Sequence, residues 1–313
     1  MTVATNLRQA QRARFAALDE LLPDTTPTPE GEALSAALPD GRRVAGTLVR
    51  TSNPPGSLPS LWSARQVLEL FPLVGEQAGP GVSALVRAWR AQLDRDGPLG
   101  DDSSCVITWP SRDGAVSRVL LDHGFVPLTV LAVRRPMTNR PTPMPRLEPG
   151  VVVRRARHGD LEVATQIALA ELAYSANLGG TVVRPDAVAL KRSALEYHLN
   201  QRDPMWIIER DGVAVGIAEC WLTDAAPGAS RRFPVPVGRW GYVNTVSILP
   251  GARGGGLGQQ LMSVAHRDLQ QGGAKGSYLY YNPPNPLSSV FWPRQGYRPL
   301  WTIWEIRPAN ALR

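Results

Sequence analysis

A glycine-rich stretch in the second half of the chain has the composition of an anion-binding loop: LPGARGGGLGQQL, residues 249–261. It follows a predicted strand, GYVNTVSIL, and precedes a predicted amphipathic helix. In that position, successive backbone N–H groups lie at the positive end of a helix, where a phosphate group can dock. Glycine is favoured because side chains would block the approach, and Arg253 adds a positive charge. The stretch therefore predicts a phosphate-binding loop.

Other phosphate-binding loops fit this stretch less well. A dinucleotide-binding fingerprint requires Gly-x-Gly-x-x-Gly, which no register of the stretch supplies. A P-loop ends in Gly-Lys-Ser/Thr, and Leu257-Gly258 stands at that place instead. The remaining alternative is a glycine-rich turn without a ligand.

The residues in and after this loop resemble the GCN5-related N-acetyltransferase (GNAT) family, in which an Arg/Gln-x-x-Gly-x-Gly/Ala loop binds the pyrophosphate of acyl-CoA. The matching loop residues are Arg253, Gly254, Gly255, Gly256, Leu257 and Gly258. The family's Asn after the fifth strand, its aromatic residue and its Gly-aromatic pair are matched by Asn285, Trp292, Gly296 and Tyr297. The resemblance implies acetyl-CoA as the cofactor, and Asn285, Ser289 and Trp292 are expected to help bind it.

The resemblance also implies how the acyl group is held and where the base lies. Backbone amides at Ser247, Ile248 and Leu249 would hold the pantetheine and polarise the thioester carbonyl. Many relatives carry a glutamate base on the fourth strand, where this chain has Asn244. Either Asn244 orients a water, or Glu219 on the preceding strand is the base, with a pKa raised by its apolar surroundings.

The acid and the acceptor pocket are less defined by the sequence. The family's acid is often a tyrosine where this chain has Trp292, whose indole N–H is not a useful acid. Either no specific acid is needed or a nearby hydroxyl serves, for which Tyr280, Tyr281 and Ser289 are the alternatives and Tyr281 is the residue we select. In the family the first helices flank the acceptor, and the residues predicted for the substrate pocket are Glu171, Tyr174, Tyr197 and His198. His266, on the helix after the loop, is expected at the surface.

The elements that must position these residues occur in two copies. A Pro-rich linker, residues 137–149, separates residues 1–136 from residues 150–313. The halves end alike, in GFVPLTVLAVRRP and GYRPLWTIWEIRP, which predicts a duplicated domain. The expected fold class is α/β (α+β): two GNAT-like domains, each with a twisted mixed, mostly antiparallel sheet flanked by helices.

The first copy lacks the features that bind the cofactor in the second. Glu76 stands at the place of the loop arginine, and a carboxylate beside a pyrophosphate is repulsive. Asp113 and Leu120 occupy the Asn and aromatic positions. We therefore expect a degenerate first domain that keeps the fold and has lost standard acyl-CoA binding.

Composition narrows the class of protein. The formal net charge is +7, but lysine occurs only at Lys191 and Lys275 and the arginines are scattered, which argues against nucleic-acid binding. Cys105 and Cys220 show no metal-ligand spacing and are expected to be buried thiols, and no metal is predicted. No run of apolar residues approaches the length of a membrane span. The expectation is a cytoplasmic monomer or homodimer with no membrane partner.

The expected function is direct transfer of an acetyl group from acetyl-CoA to the amine of a small molecule. Two alternatives stay open. One is a protein or peptide N-acetyltransferase, and the other is a non-catalytic acyl-CoA-binding sensor, which the departures at Asn244 and Trp292 allow.

Overall fold

The computed structural model describes residues 3–23, 29–135, 146–225 and 235–312. The predicted linker lies mostly outside these ranges, as do residues 226–234. The described strands are β1 (Glu32–Ala37), β2 (Arg43–Ser52), β3 (Gln66–Leu73), β4 (Ser103–Pro110), β5 (Val126–Arg134), β6 (Val151–Arg155), β7 (Met205–Arg210), β8 (Val213–Ala225), β9 (Gly238–Ile248), β10 (Ser277–Tyr281) and β11 (Arg298–Ile306). The described α-helices are α1 (Val3–Leu18), α2 (Ala78–Asp96), α3 (Gly114–Asp122), α4 (Leu161–Ala176), α5 (Ala187–Asn200), α6 (Leu257–Gln271) and α7 (Pro286–Arg294).

All eleven described strands belong to one open sheet, in the order β1-β2-β3-β4-β11-β5-β10-β9-β8-β7-β6. Pairings β3–β4 and β9–β10 are parallel and the others are antiparallel. The predicted fold class, mixed α/β with a mostly antiparallel sheet, is confirmed. The helices flank this sheet and cover its apolar side chains.

The last strands of the two halves are exchanged. Strand β11 lies between β4 and β5 of the first half, and β5 lies between β11 and β10 of the second half. The two strands begin and end 172 positions apart (298 less 126, and 306 less 134). Helices α3 and α7, which precede them, show the same offset at both ends (286 less 114, and 294 less 122). The sheet is therefore shared, and neither half contributes all the strands on its side of it.

The local sequence explains the connection between β7 and β8. The β7–β8 hairpin turns at Asp211 and Gly212, whose φ angles of +52° and +78° are the left-handed values that this turn requires.

Cys105 and Cys220 are free thiols and both are buried, as predicted. Within the described residues, no helix has the length and apolar character needed to cross a membrane.

Candidate functional site

A cleft opens in the sheet where β9 and β10 separate. The two strands pair in parallel only from Gly241 to Val243, opposite Ser277 to Leu279. Beyond that point β9 keeps its ladder with β8 but has no partner on its other edge among the described strands. A cavity of about 740 Å³ lies there, lined by residues of α4, β9, the glycine loop, α6, β10 and α7. A volume of this size suits a small-molecule or cofactor ligand.

The glycine loop forms one wall of this cavity. Gly254 and Gly256 have φ angles of +92° and +69°, which side-chain-bearing residues rarely adopt. Helix α6 begins directly afterwards at Leu257, and no side chain caps its first turn. The first N–H groups of a helix have no partner within it, so they are available to an anion.

Two arginines add positive charge at the loop. The Arg253 Nε donates to the Ile248 carbonyl at 2.9 Å, and its guanidinium carbon lies 5.4 Å from the centre of the Tyr174 ring. A Cβ placed on Gly255 would lie 2.7 Å from Nη2 of Arg210. The absence of a side chain at residue 255 therefore lets the Arg210 guanidinium approach the loop in its present position. Together these features fit the pyrophosphate of an acyl-CoA.

The open edge of β9 supplies backbone donors, but not all those expected. The Leu249 N–H donates to the Val215 carbonyl of the neighbouring chain segment at 2.9 Å, so it is not available to a ligand. Amides alternate between the two edges of a strand, so the N–H of Ser247 also points to β8, whereas those of Val246 and Ile248 point to the cleft. Val246 and Ile248 line the cavity, and Leu249 does not. Of the predicted trio, the geometry favours Ile248, with Val246 in addition.

The predicted base Glu219 does not face the cavity. Its side chain is 1% exposed and accepts hydrogen bonds from Lys191 Nζ at 2.7 Å and Asn244 Nδ2 at 2.8 Å. Burial alone would raise the pKa of Glu219. The Lys191 ammonium and the hydrogen bonds lower it by more than burial raises it, so the pKa lies below the usual value. The expectation of a raised pKa at Glu219 was wrong because the sequence does not reveal that Lys191 of α5 reaches this strand.

Asn244 lies between this ion pair and the cavity. Its amide nitrogen donates to Glu219, and its Oδ1 accepts a hydrogen bond from the Tyr242 hydroxyl at 3.2 Å. Asn244 lines the cavity. Its side chain is already oriented by protein partners at both ends, so it forms a fixed polar part of the wall.

Glu171 is the one carboxylate among the described residues that line the cavity. It lies on α4, and the Ser175 hydroxyl one turn later donates to its Oε1 at 2.6 Å. Burial raises the pKa of Glu171, and the neighbouring Glu219 charge acts in the same direction, while Ser175 and Lys191 oppose the shift. Tyr174, also predicted for the acceptor pocket, lines the cavity beside it.

The residues predicted around β10 and α7 have different environments. Tyr281 lines the cavity, and burial raises the pKa of its hydroxyl, which keeps it protonated. Trp292 also lines it, with its ring packed edge-on against Phe291 and Tyr297. Asn285 lines the cavity while its Oδ1 accepts from two backbone amides and caps α7. Ser289 donates to the Pro283 carbonyl at 2.6 Å and lies outside the lining.

Tyr197 and His198 are separated from the cavity. The Tyr197 side chain is exposed, and His198 stacks on Trp221 at a ring distance of 4.2 Å while its Nδ1 contacts Asp203. Trp221 in turn packs against Tyr242, so His198 connects with the site only through this aromatic row.

His266 is not at the surface as expected. It is buried and bonded to the Tyr297 hydroxyl, and burial lowers its pKa to about 3. The helical position alone did not reveal which face of α6 packs on the sheet.

The corresponding cleft of the first half is filled by α1. Strands β3 and β4 also separate, after Leu70 and Ile107. The Gln11 side chain bonds to the edge of β3 beyond that point, donating to the Pro72 carbonyl and accepting from the Val74 N–H. Gln11 thus satisfies backbone groups at the edge of β3, whereas the corresponding edge of β9 faces the cavity.

Two further α1 residues cover positions equivalent to the site. Phe15 packs edge-on against Trp109, which lies 172 positions before Tyr281, with ring centres 5.3 Å apart. Arg14 forms two hydrogen bonds to Asp113, which caps α3 as Asn285 caps α7. The predicted loss of cofactor binding in the first half thus has a packing reason in addition to Glu76.

Sequence reasoning missed further residues of the second site besides Val246, among them Arg210, Lys191 and Ser175. Arg210 and Lys191 are distant along the chain from the groups they approach, and only the fold brings them there. Ser175 carries a signal in the sequence, because a serine four residues after a glutamate on a helix lies on the same face.

Comparison with known proteins places this geometry in a family. The model of the acetyltransferase (GNAT) family matches residues 174–297, which include the cavity-lining segments from Tyr174 to Gln295. The mycothiol acetyltransferase of Frankia alni is 32% identical over 195 residues, covering 60% of this chain and 55% of the relative. The mycothiol acetyltransferase of Streptomyces coelicolor is 28% identical over 169 residues, covering 53% and 48%. The chain thus spans about half the length of the curated relatives it matches.

A solved structure extends the likeness of fold to most of the chain. The GCN5-related N-acetyltransferase from Sphaerobacter thermophilus superposes with a TM-score of 0.54 at 14% identity, covering 88% of this chain and 82% of that one. The parted strands, the glycine loop with its helix, and these matches agree, and the chain contains a domain of the acetyltransferase (GNAT) family.

Proposed function

We propose that the protein is an acetyl-CoA-dependent N-acetyltransferase that acts on the amine of a small molecule by direct transfer. The observation that carries this proposal is the cavity at the parting of β9 and β10, which has an anion-binding loop along one wall and a carboxylate on another. The loop suits the phosphates of the donor, and the carboxylate suits a cationic amine. The family model that matches residues 174–297 supports the same reading.

Within this cavity, different residues bind the donor, polarise its thioester carbonyl and donate a proton. The loop amides after Arg253 hold the pyrophosphate, with the Arg253 and Arg210 guanidiniums beside it. The amides of Val246 and Ile248 at the open edge of β9 bind the pantetheine arm and polarise the thioester carbonyl. Bound acetyl-CoA supplies the acetyl group and a thiolate leaving group. The Tyr281 hydroxyl lines the cavity and is protonated at neutral pH, and in this proposal it donates a proton to the departing sulfur.

The acceptor is proposed from the relatives as well as from the site. Both relatives described above carry the name mycothiol acetyltransferase, so a mycothiol-related amine is the first acceptor class to examine. The walls near Glu171 combine hydroxyl, amide and aromatic groups (Tyr174, Asn244, Tyr280 and Asn282). Such a lining suits a polar, hydroxyl-bearing amine better than an apolar one.

The test is release of free coenzyme A from acetyl-CoA, separated by chromatography, with a panel of primary amines that includes S-methyl-L-cysteine, D-glucosamine and phenethylamine. We expect acceptor-dependent release of free thiol and a product heavier than its amine by one acetyl group. Modification of added proteins, with none of the small amines consumed, would support protein acetylation instead. Binding of acetyl-CoA without turnover on any acceptor would support a sensor.

A further inference from the structure

We propose that Glu171 is the general base that removes the proton from the acceptor ammonium, a role that the family pattern puts on the strand now carrying Asn244. This inference rests on the proposed function and names the residue that performs its proton transfer. It places the base on a helix wall of the cavity and not on the sheet.

The other groups considered for the base, Glu219 and Asn244, are unsuited to that role. Glu219 is held by Lys191 and Asn244 in a buried cluster, with a lowered pKa and no access to the cavity. Asn244 has no basic atom, and its two polar ends are taken by Glu219 and Tyr242. Among the described residues that line the cavity, Glu171 is the one remaining carboxylate.

The contacts and the burial of Glu171 suit it to accept a proton. Its Oε1 receives the Ser175 hydroxyl at 2.6 Å, which fixes the carboxylate in one orientation. The groups facing it from neighbouring elements are Lys191 of α5 and Glu219 of β8, and their opposite charges lie within the same buried pair. Lys191 lowers the pKa of Glu171 and Glu219 raises it, so these two charges oppose each other. Burial is the largest effect, and it makes the carboxylate a stronger proton acceptor than an exposed glutamate.

The transfer balances as follows. The Glu171 carboxylate accepts one proton from the ammonium, which frees the nitrogen lone pair. The nitrogen forms a bond to the acetyl carbon while the bond from that carbon to sulfur breaks. The Tyr281 hydroxyl gives its proton to the sulfur, which leaves as a thiol, and the second proton of the nitrogen restores that hydroxyl. Protonated Glu171 returns its proton to solvent. The products are one amide, one thiol and one proton.

Substitution of Glu171 tests the base role. In Glu171→Gln we expect turnover with the best amine of the panel to fall by roughly 10²–10⁴-fold, with acetyl-CoA affinity measured by calorimetry changed less than about threefold. The acidic limb of the pH–rate profile should disappear. Glu162→Gln, on the same helix and exposed with Arg192 as its partner, is the matched control and should leave both quantities unchanged.

Ser175 gives a second test that does not remove the carboxylate. Its hydrogen bond stabilises the charged form of Glu171, so Ser175→Ala should move the acidic limb to higher pH. The plateau rate above the limb should be nearly retained. A merely structural Glu171 would leave the position of the limb unaltered in this variant.

The outcomes separate the inference from the proposed function. Wild-type protein that binds no acetyl-CoA, or that turns over no amine or protein, contradicts the proposed function itself. Wild-type turnover with a Glu171→Gln rate within threefold of it, or with the acidic limb intact, overturns the base role alone. Thermal unfolding at the wild-type temperature confirms that a loss of rate is not a loss of fold.

Discussion

At the scale of single residues, Gly256 should decide whether the cofactor binds. Gly256 has a φ of +69° and lies at the start of α6, where no side chain caps the first backbone amides of the helix. Gly256→Asp puts a carboxylate where the pyrophosphate is expected, a repulsion of about 2–4 kcal/mol, so acetyl-CoA affinity measured by calorimetry should fall at least about 30-fold. Aspartate tolerates a positive φ, so the fold should remain.

Gly41 provides the matched control for that charge. It has a φ of +82° at the turn between β1 and β2, with nothing within 4 Å of an added Cβ. Gly41→Asp therefore introduces the same strain and the same charge far from the cleft. Unchanged acetyl-CoA affinity in Gly256→Asp, or an equal loss in Gly41→Asp, would refute the assignment of the loop.

The buried Lys191–Glu219 pair makes a prediction about stability. Glu219→Gln leaves the Lys191 charge buried without its partner, and the free energy of unfolding in urea should fall by about 3–5 kcal/mol. The double variant Lys191→Met/Glu219→Gln removes both charges and should recover most of the loss. A double variant no more stable than the single one would show that the ion pair is not the cause.

The same pair has a definite pH dependence. The folded pKa of Glu219 is lowered, so its stabilising effect is present above the ordinary glutamate value of 4.5 and is lost as the pH falls through the folded pKa. The difference in unfolding free energy between wild type and Glu219→Gln should therefore shrink in acid.

The sequence could predict the loop but not the surroundings of the carboxylates. Arg253 and the glycines lie together along the chain, so their spacing is visible before folding. Glu219 and Glu171 look alike in the sequence, as glutamates within apolar elements. Lys191 of α5 donates a hydrogen bond to Glu219, 28 residues away along the chain, and lowers its pKa. Glu171 has no such bond to Lys191, and burial raises its pKa. These contacts exist only in the fold.

At the scale of elements, the packing of α1 predicts how many cofactor molecules bind. Gln11 and Phe15 occupy the cleft of the first half that corresponds to the cavity of the second. Calorimetry should therefore give one tight acetyl-CoA site per chain. Phe15→Ala should lower the free energy of unfolding by about 3–5 kcal/mol, because a buried ring between Trp109 and Trp301 is lost.

The number of sites is the decisive result for this interpretation. Two tight sites per chain in the wild type would mean that α1 leaves the first cleft or that a different surface binds the cofactor. The sequence of α1 gives no sign that the helix fills a cleft, because its apolar and polar residues would suit any amphipathic helix.

At the scale of the whole molecule, the exchanged strands should make the two halves unfold together. Cys105 on β4 and Cys220 on β8 are both buried free thiols, one in each half, and they report local opening. Labelling with a thiol reagent in increasing urea, read by mass spectrometry, should give one common free energy of opening for both. Protection that is lost at Cys105 well before Cys220 would contradict a single cooperative unit.

The exchange also shows where sequence reasoning about the fold stops. The matching ends of the halves predicted the two copies of the helix–strand unit at the correct offset. They could not reveal which half each strand completes, because the repeated pattern predicts a strand after each helix but does not specify that strand's neighbours in the sheet. Pairing between distant strands is set by the packing of the whole sheet, and local pattern does not contain it.

The position of β5 between β10 and β11 has a consequence for biosynthesis. Both sheet neighbours of β5 belong to the second half, the later of them ending at Ile306. While the ribosome makes the chain, β5 emerges more than a hundred residues before either partner, with backbone donors and acceptors free on both edges. A strand in that condition is open to wrong pairing between nascent chains. The order in which the protein is made therefore differs from the order in which its sheet closes, and the first half can finish folding only after the second has been synthesised.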